Sequence, residues 1–330
     1  SDAVLTSGSV ARDRQTPRRR VKEALNVWSA ATSAVATLVA LPVIVVVASL
    51  LAPKGAVWGH LAATILWDYV GNSLGLMVGV AIGAGMIGVA TAWLVTMCRF
   101  PGRAIFEWAL LLPLAMPTYV IAYTYAGLLD FAGPVQSALR AWFGWGRGDY
   151  WFASIRSLGG AIAVFSLVLY PYVYMLARAA FIEQSVCVLE VSRTLGDTPW
   201  RSFRRVVLPL ARPAIAAGLA LALMETLNDF GAVQHFAIDT FTTGIYRAWF
   251  GLGEPVAAAQ LGAALLLFVF LLLWIEQASR GQARYHHTSQ RYRALPGYRL
   301  YGWRRGAAAA VARHVRAVQQ VVERDLGDVA

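Results

Sequence analysis

The sequence has few charged residues and few cysteines, and each shortage excludes a large class of proteins. Only 14% of its 330 residues are charged, whereas 58% are hydrophobic. Soluble domains usually carry about 25% charged and roughly 45–50% apolar residues. Such a chain has too little polar surface to cover itself in water. Its two cysteines, Cys98 and Cys187, lie far apart, so the sequence predicts neither a disulfide framework nor a cysteine-based metal site.

Acidic residues are scarcer than basic ones. The chain has 18 Asp and Glu against 29 Lys and Arg, for a net charge of +11. Basic proteins often bind nucleic acid, but here the positive charges lie outside long apolar runs, as in membrane proteins. We therefore expect the lipid bilayer, and no nucleic acid, as a partner. The histidines have no metal-ligand spacing and no catalytic triad pattern stands out, so we expect no catalytic residue, metal or cofactor.

Six apolar stretches are long enough to cross a bilayer as helices, which takes about 20 residues. They cover residues 28–52, 72–97, 104–129, 157–182, 212–233 and 256–276. The first is too long for the core of a signal peptide, and the short alternating segments of a barrel are absent. The sequence predicts an all-α, polytopic transmembrane bundle of six spans over residues 28–276, between basic tails at 1–27 and 277–330.

The positive charges also predict the orientation of the spans, because cytoplasmic loops carry an excess of Lys and Arg. With six spans, both tails lie on the same side of the membrane. That side holds 24 of the 29 Lys and Arg residues. We expect both termini to be cytoplasmic.

Prolines and glycines interrupt several of these spans. The residues concerned are Pro42, Pro113, Pro117, Pro171, Gly75, Gly79, Gly83, Gly85 and Gly88. Small residues let membrane helices approach closely, and proline is tolerated where neighbouring groups satisfy the freed backbone. The pattern therefore fits ordinary helix packing with kinks, and it also fits broken helices that line a transport pathway.

The loop at 183–211, on the cytoplasmic side, carries the most specific pattern. We expect a short helix, a turn at Gly196-Asp197, and a second helix with Thr198 as its N-cap and Pro199 as its first residue. Glycine allows a positive φ at such a turn. Leu208-Pro209 and Pro213 are then expected to redirect the chain into the fifth span.

The spacing in this loop resembles the coupling loop of bacterial binding-protein-dependent ABC importer permeases, known as the EAA loop. Glu190, Gly196, Leu208 and Pro209 occupy the family's offsets, whereas Val191 and Ser192 replace its two alanines. The resemblance implies a type I importer permease whose loop docks on cytoplasmic ABC ATPase subunits. The residues implied in coupling are Glu190, Val191, Ser192, Gly196, Asp197, Leu208 and Pro209.

The chain has no Gly-x-x-x-x-Gly-Lys-Ser/Thr phosphate-binding loop. We therefore expect a permease subunit that is not itself an enzyme, with ATP hydrolysed by a partner subunit.

A narrower resemblance, over roughly residues 30–290, is to ferric iron permeases of this class. Four strings carry it: LLPLAMPTY at 111–119, LYPYVY at 169–174, ETLNDFG at 225–231 and FTTGIY at 241–246. Those permeases usually fuse two six-span halves, and this chain resembles the first half. It departs from the pattern after about Gly302, so we expect either a half-size subunit, paired with a second copy or a sibling, or a truncated product.

Several polar residues in the spans could line a translocation pathway. They are Tyr119, Tyr123, Tyr170, Tyr174, Glu225, Asn228 and Asp229. Glu225 and Asp229 are four positions apart, on one face of a helix, and a carboxylate within the membrane costs at least about 2.5 kcal/mol. Phenolate and carboxylate oxygens suit a hard ferric ion. Alternatively, Asn228 and Asp229 cap the span or bridge helices, and the tyrosines lie at the membrane interface.

These features predict a permease subunit in the bacterial inner membrane that moves ferric iron by alternating access. A periplasmic substrate-binding protein delivers the ion, and a second permease half completes the channel. An importer of the same architecture for thiamine, a phosphonate or a polyamine is the nearer alternative. A secondary transporter is the more distant one, and it would leave the coupling loop unexplained.

Overall fold

A computed structural model of the chain describes residues 27–52, 58–59, 63–146, 148–183, 192, 194, 196, 198–280 and 298–299. These residues are almost entirely helical. The helices are α1 (Val27–Ala48), α2 (Leu66–Met97), α3 (Arg103–Ala109), α4 (Thr118–Leu129), α5 (Pro134–Phe143), α6 (Leu158–Glu183), α7 (Pro199–Ser202), α8 (Leu208–Asn228), α9 (Gly231–His235), α10 (Phe241–Tyr246) and α11 (Pro255–Arg280).

Shorter elements connect these helices. Two 3₁₀ turns, Ser49–Leu51 and Leu112–Ala115, follow α1 and α3, respectively. Two π-helical turns, Phe203–Val207 and Arg247–Gly251, follow α7 and α10. Two short strands, β1 (Cys98–Arg99) and β2 (Tyr298–Arg299), pair in parallel with Cys98 opposite Tyr298. The pairing brings a segment of the C-terminal tail to the link that follows α2.

The chain divides into two compact units, residues 1–52 and 53–330. The described part of the first unit is α1 and its 3₁₀ turn. Pro42 lies inside α1 without breaking it, and large apolar side chains such as Leu38 and Ile44 are exposed. An exposed apolar helix of 22 residues is what a lipid environment favours.

Membrane-spanning helices dominate both units, as predicted. Five helices are long and apolar enough to cross a bilayer, or six if one bent pair counts as a span. Three boundaries differ most from the prediction. The second span begins at Leu66, before Asn72, and the fifth runs from Trp200 to Asn228, whereas 212–233 was predicted.

The third span, predicted over 104–129, is broken, which agrees with the alternative of broken helices rather than with a kink in one helix. The segments Arg103–Ala115 and Thr118–Phe143 meet at an angle of 96°. Met116, which precedes Pro117, has extended backbone angles, because a proline disfavours the helical conformation in the residue before it. Pro113 lies in the 3₁₀ turn just ahead. The two prolines together end one helix and start another in a new direction.

The core is built on close packing of α2 against α6. A Cβ on Gly79 would lie 2.5 Å from Ile162, one on Gly83 would collide with Ser166, and one on Gly88 would lie 2.7 Å from Val173. The paired residue numbers rise together, so the two helices run in parallel. The expectation that small residues allow close approach is confirmed here.

Two further contacts complete the bundle around α6. At Gly218 of α8, a Cβ would lie 2.8 Å from the Val173 Cα, which brings α8 against the same helix. Glu107 of α3 forms ion pairs with Arg178 of α6 at 3.2 Å and with Arg103 at 3.3 Å. The first half of the broken span is therefore tied to α6 near its C-terminal end.

Candidate functional site

The predicted coupling loop is described in part. Glu190, Val191 and Asp197 lie outside the described residues. Ser192 is buried, whereas Gly196 is exposed and has a φ of +85°. Only glycine adopts this left-handed conformation at little cost, so the predicted turn at Gly196 is confirmed.

The second helix of the loop begins where the sequence predicts. Pro199 is its first residue, and the Arg201 backbone N–H donates to the Thr198 hydroxyl over 3.4 Å. Thr198 therefore satisfies one of the N–H groups that a helix start leaves without a partner. Pro199 costs nothing at this position because its missing N–H is not needed there.

Beyond this start, Leu208-Pro209 and Pro213 do not redirect the chain, contrary to the prediction. The helix runs without interruption from Trp200 to Asn228, and the π-helical turn Phe203–Val207 lies just before Leu208. Pro209 has no N–H, and its ring would crowd the carbonyl of Arg205 in a regular α-helix. A wider π-turn relieves that conflict while the helix continues.

An aromatic cluster joins the coupling loop to two spans. The Phe203 ring centroid lies 5.5 Å from Trp93 of α2, 6.1 Å from Phe181 of α6 and 5.5 Å from Trp200 of α7. Phe203 is buried, whereas Trp200 is 58% exposed. Sequence reasoning missed Trp93 and Phe181. The aromatic pair three positions apart at 200 and 203 was the available signal, since it marks one side of a helix.

The candidate pathway residues fall into two groups. Tyr119 and Tyr123 on α4 are 58% and 68% exposed, and Glu225 and Asn228 on α8 are exposed as well. Helix α9 brings the two helices together: a Cβ on Gly231 would lie 3.0 Å from the Tyr119 Cβ. We call Tyr119, Tyr123, Glu225 and Asn228 the polar strip.

Tyr170 and Tyr174 do not join this strip, because both are buried in the core. The Tyr174 hydroxyl donates to the Glu107 carbonyl over 3.2 Å. The Tyr170 hydroxyl has no hydrogen-bond partner among the described residues. The four tyrosines therefore do not form one continuous path in this structure.

Asp229 follows the last residue of α8 and has extended backbone angles. Its carboxylate Oδ1 accepts a hydrogen bond from the Ala232 backbone N–H at 2.7 Å. Its carbonyl accepts one from the Thr242 hydroxyl at 3.0 Å. These contacts hold α9 and α10 in place, as the capping alternative predicts.

The arginines described near the strip are all engaged. Arg156 pairs with Asp130 at 3.4 Å and Arg247 with Asp239 at 2.6 Å. Arg140 donates to the Tyr150 hydroxyl at 2.9 Å. Among the described residues, no group of three or more His, Cys, Asp or Glu side chains is arranged to hold a metal ion.

His235 of α9 borders the polar strip. Its ring centroid lies 5.3 Å from that of Tyr123. Partial burial lowers the pKa of His235 below 6.5, nearby Arg156 lowers it further, and Asp130 raises it. Burial and Arg156 thus both favour the neutral imidazole over the charged one.

Comparison with known proteins decides the family. Residues 84–280 match the family model described as "Binding-protein-dependent transport system inner membrane component". The chain belongs to this family. As a member, it is a multi-pass inner-membrane chain, in agreement with its spans. The match includes the coupling segment, the aromatic cluster and the polar strip.

Two relatives within this family transport different solutes. The Fe(3+)-transport system permease protein FbpB 2 of Haemophilus influenzae is 30% identical over 223 residues, which are 68% of this chain and 40% of that protein. The molybdenum transport system permease protein ModB of Escherichia coli is 31% identical over 206 residues, 59% of this chain and 87% of that protein. The chain thus spans two fifths of the iron permease.

A solved structure supports the fold. A bacterial ABC transporter that imports the polysaccharide alginate contains a chain that superposes with a TM-score of 0.61. The superposition covers 80% of this chain and 100% of that one, at 17% sequence identity. The helical permease architecture predicted from the sequence is therefore confirmed.

Proposed function

We propose that this chain is the permease subunit of an ATP-driven ABC importer. The observation that carries the proposal is the family match over residues 84–280, which covers the end of α2, the later spans and the coupling segment. The left-handed turn at Gly196 and the helix capped by Thr198 support a rigid docking element. The coupling residues are Glu190, Val191, Ser192, Gly196, Asp197, Leu208 and Pro209.

In this proposal the chain has three kinds of protein partner: one in the cytoplasm, one in the periplasm and one in the bilayer. ABC ATPase subunits bind the coupling segment, since the chain lacks a phosphate-binding loop of its own. A periplasmic binding protein delivers the substrate. A second permease half, another copy of this chain or a sibling, faces the polar strip.

Both termini lie in the cytoplasm in this proposal. The charge bias supports it, since 24 of 29 Lys and Arg residues fall on that side. The pairing of β1 with β2 supports it independently. Because this pairing holds a tail segment beside the link after α2, the link and the tail share one side of the membrane.

Ferric iron is the proposed substrate. Glu225, Tyr119 and Tyr123 carry oxygen atoms suited to a hard cation, and all three side chains are exposed. Arg156, whose charge acts on the neighbouring His235, is paired with Asp130. An oxyanion such as molybdate would be repelled by the Glu225 carboxylate, with no unpaired positive charge described nearby to offset it.

The importer is tested by purifying the wild-type chain from native membranes and identifying its partners by mass spectrometry. We expect an ABC ATPase subunit and a second permease half. The variant Gly196→Arg should insert normally but lose ATP-driven transport, because a bulky charged residue at a left-handed turn distorts the docking surface. Full transport by this variant would contradict the coupling role.

The substrate is tested by uptake of radioactive ferric iron and of molybdate. Glu225→Arg should lower iron uptake by roughly tenfold or more through charge reversal, and Glu254→Gln serves as a control at a carboxylate outside the strip. If Glu225→Arg increases molybdate uptake, ferric iron is not the substrate. The proposal that the chain belongs to an importer would still stand.

A further inference from the structure

The coupling segment exposes one large aromatic ring, that of Trp200. Arg201, Arg204, Arg205 and Arg212 follow within twelve positions, and this density of charge places the segment outside the hydrocarbon core of a membrane. Lipid therefore does not cover the 58% of Trp200 that is exposed. Tryptophan with neighbouring arginine is typical of residues that anchor a protein partner.

Behind Trp200 lie three further aromatic rings, those of Trp93, Phe181 and Phe203. Trp200 stacks on Phe203 with an interplanar angle of 28° and meets Trp93 edge-on at 6.4 Å. Phe203, only 7% exposed, lies against both Trp93 and Phe181. One exposed ring is thus backed by rings from α2 and α6.

This arrangement offers two mechanical connections of different kinds. The covalent one runs from α7 through the π-turn Phe203–Val207 into α8, and π-turns are frequent at functional sites. The second runs through ring contacts into α2 and α6. Because close-packed side chains transmit displacement rather than absorb it, a push on Trp200 moves the ends of α2 and α6 together with α8.

We propose that Trp200 is the anchor for the ATPase subunit and that Trp93 is the positioning residue that carries its displacement to the end of α2. This inference rests on the proposed function and adds specific residues to it. The partner surface that fits is an apolar slot with acidic residues on its rim, since exposed Arg201, Arg204 and Arg205 flank the ring. Closure of the ATPase dimer then moves three spans at once.

A cysteine at the end of α2 makes the movement of this helix measurable. Cys98 directly follows Met97 and is fully buried. In a Cys187→Ser background it is the only thiol, because the chain has two cysteines. Its rate of modification by N-ethylmaleimide, with and without ATP plus orthovanadate, measures movement of α2 without requiring a known substrate.

The experiment uses the complex purified with its ATPase subunit. In the wild type we expect ATP and vanadate to change the Cys98 modification rate at least about fivefold, the lower range of a typical coupling between sites. Trp93→Ala should retain the ATPase subunit and lose this change, and Trp93→Phe should restore it. Trp200→Ala should lose the ATPase subunit. Trp274→Ala, which removes an exposed ring of α11, is the control and should behave like the wild type.

The outcomes separate the inference from the function on which it rests. A wild-type chain that associates with no ATPase subunit overturns both. If the wild type associates and responds, but Trp93→Ala responds equally, the transmission role of Trp93 is wrong and the importer stands. Retention of the ATPase subunit by Trp200→Ala overturns the anchor in the same way. A wild-type complex whose Cys98 does not respond to ATP shows that α2 does not move, which also overturns the inference.

Discussion

At the scale of single residues, the contact between α2 and α6 depends on the absence of side chains. The glycines of α2 face different obstacles. The three atoms nearest to a Cβ on Gly79 all belong to the side chain of Ile162, which can rotate away. A Cβ at Gly88 would instead lie 2.9 Å from the Tyr170 carbonyl oxygen and 3.0 Å from the Tyr174 nitrogen. Backbone atoms cannot move aside without shifting the helix, so Gly88 is the least replaceable of these glycines.

Gly88→Ala should therefore destabilise the protein by about 1–3 kcal/mol, the usual cost of overpacking. Gly71→Ala is the matched control on the same helix, since a Cβ there has no neighbour within 4 Å. Alanine is the better helix former, so this control should be neutral or slightly stabilising. Thermal unfolding in detergent measures both variants. Equal melting temperatures would show that α2 and α6 are packed more loosely than described.

His235 makes the stability of the folded protein depend on pH. Its pKa in the folded protein lies below the ordinary 6.5, first because of burial and then because of Arg156. The unfolded chain therefore binds this proton more readily, so the stability present above pH 6.5 is lost as the pH falls through the folded-state pKa. NMR titration of the imidazole should give a midpoint below 6.5, and Arg156→Gln should raise it. An unchanged midpoint would exclude Arg156 as a cause.

At the scale of helices and turns, long apolar runs were predictable, whereas the sequence left open whether the prolines kink the third span or break it. Pro42 and Pro171 lie inside intact helices, whereas Pro113 and Pro117 end one helix and begin another. Each proline in isolation permits both outcomes, because neighbouring groups decide whether the freed backbone is satisfied. Pro209 and Pro213 have the same spacing of four positions and lie in an uninterrupted helix, so proline spacing alone does not predict the break.

The candidate site was predictable where it depended on local chemistry. Gly196 and Thr198 act through their own backbone conformation or a hydrogen bond three residues away, so their roles can be inferred from a short stretch of sequence. Trp93 and Phe203 are 110 positions apart and meet only because α2, α6 and α7 pack together. Periodicity within a helix contains no information about such a contact.

The link between α8 and α9 provides a test of the two roles considered for Asp229. Asp229→Asn keeps an oxygen acceptor for the Ala232 N–H and removes the charge, so it should leave stability unchanged within a few tenths of a kcal/mol. Asp229→Ala removes the acceptor and should cost about 1 kcal/mol. Thermal unfolding together with uptake separates the roles. If Asp229→Asn folds normally but abolishes uptake, the carboxylate belongs to the pathway, and capping is not its main role.

At the scale of the whole molecule, two exposed faces have different chemistry. Between Leu74 and Met86, the exposed residues of α2 are all apolar, namely Leu74, Val78, Ile82 and Met86. On α8, in contrast, Glu225 and Asn228 are exposed. A carboxylate in contact with lipid costs at least about 2.5 kcal/mol, whereas the apolar stripe costs nothing there. We infer that α2 faces lipid and that Glu225 and Asn228 face water or a protein surface.

The paired strands β1 and β2 make a prediction about the whole chain, since they bring its C-terminal tail back to the link after α2. Cys98 and Tyr298 are register partners, and neighbouring strands lie about 4.8 Å apart, within the Cα separation that a disulfide spans.

In a Cys187→Ser background, Tyr298→Cys should therefore form a disulfide with Cys98 under mild oxidation. The cross-link is measured by the mobility of the chain on gels before and after reduction. Arg299→Cys is the matched control, because its register partner is Arg99 and not a cysteine. Equal cross-linking of both variants would mean that the tail contacts this link without a fixed register. If neither variant forms a cross-link, the tail does not lie beside the link.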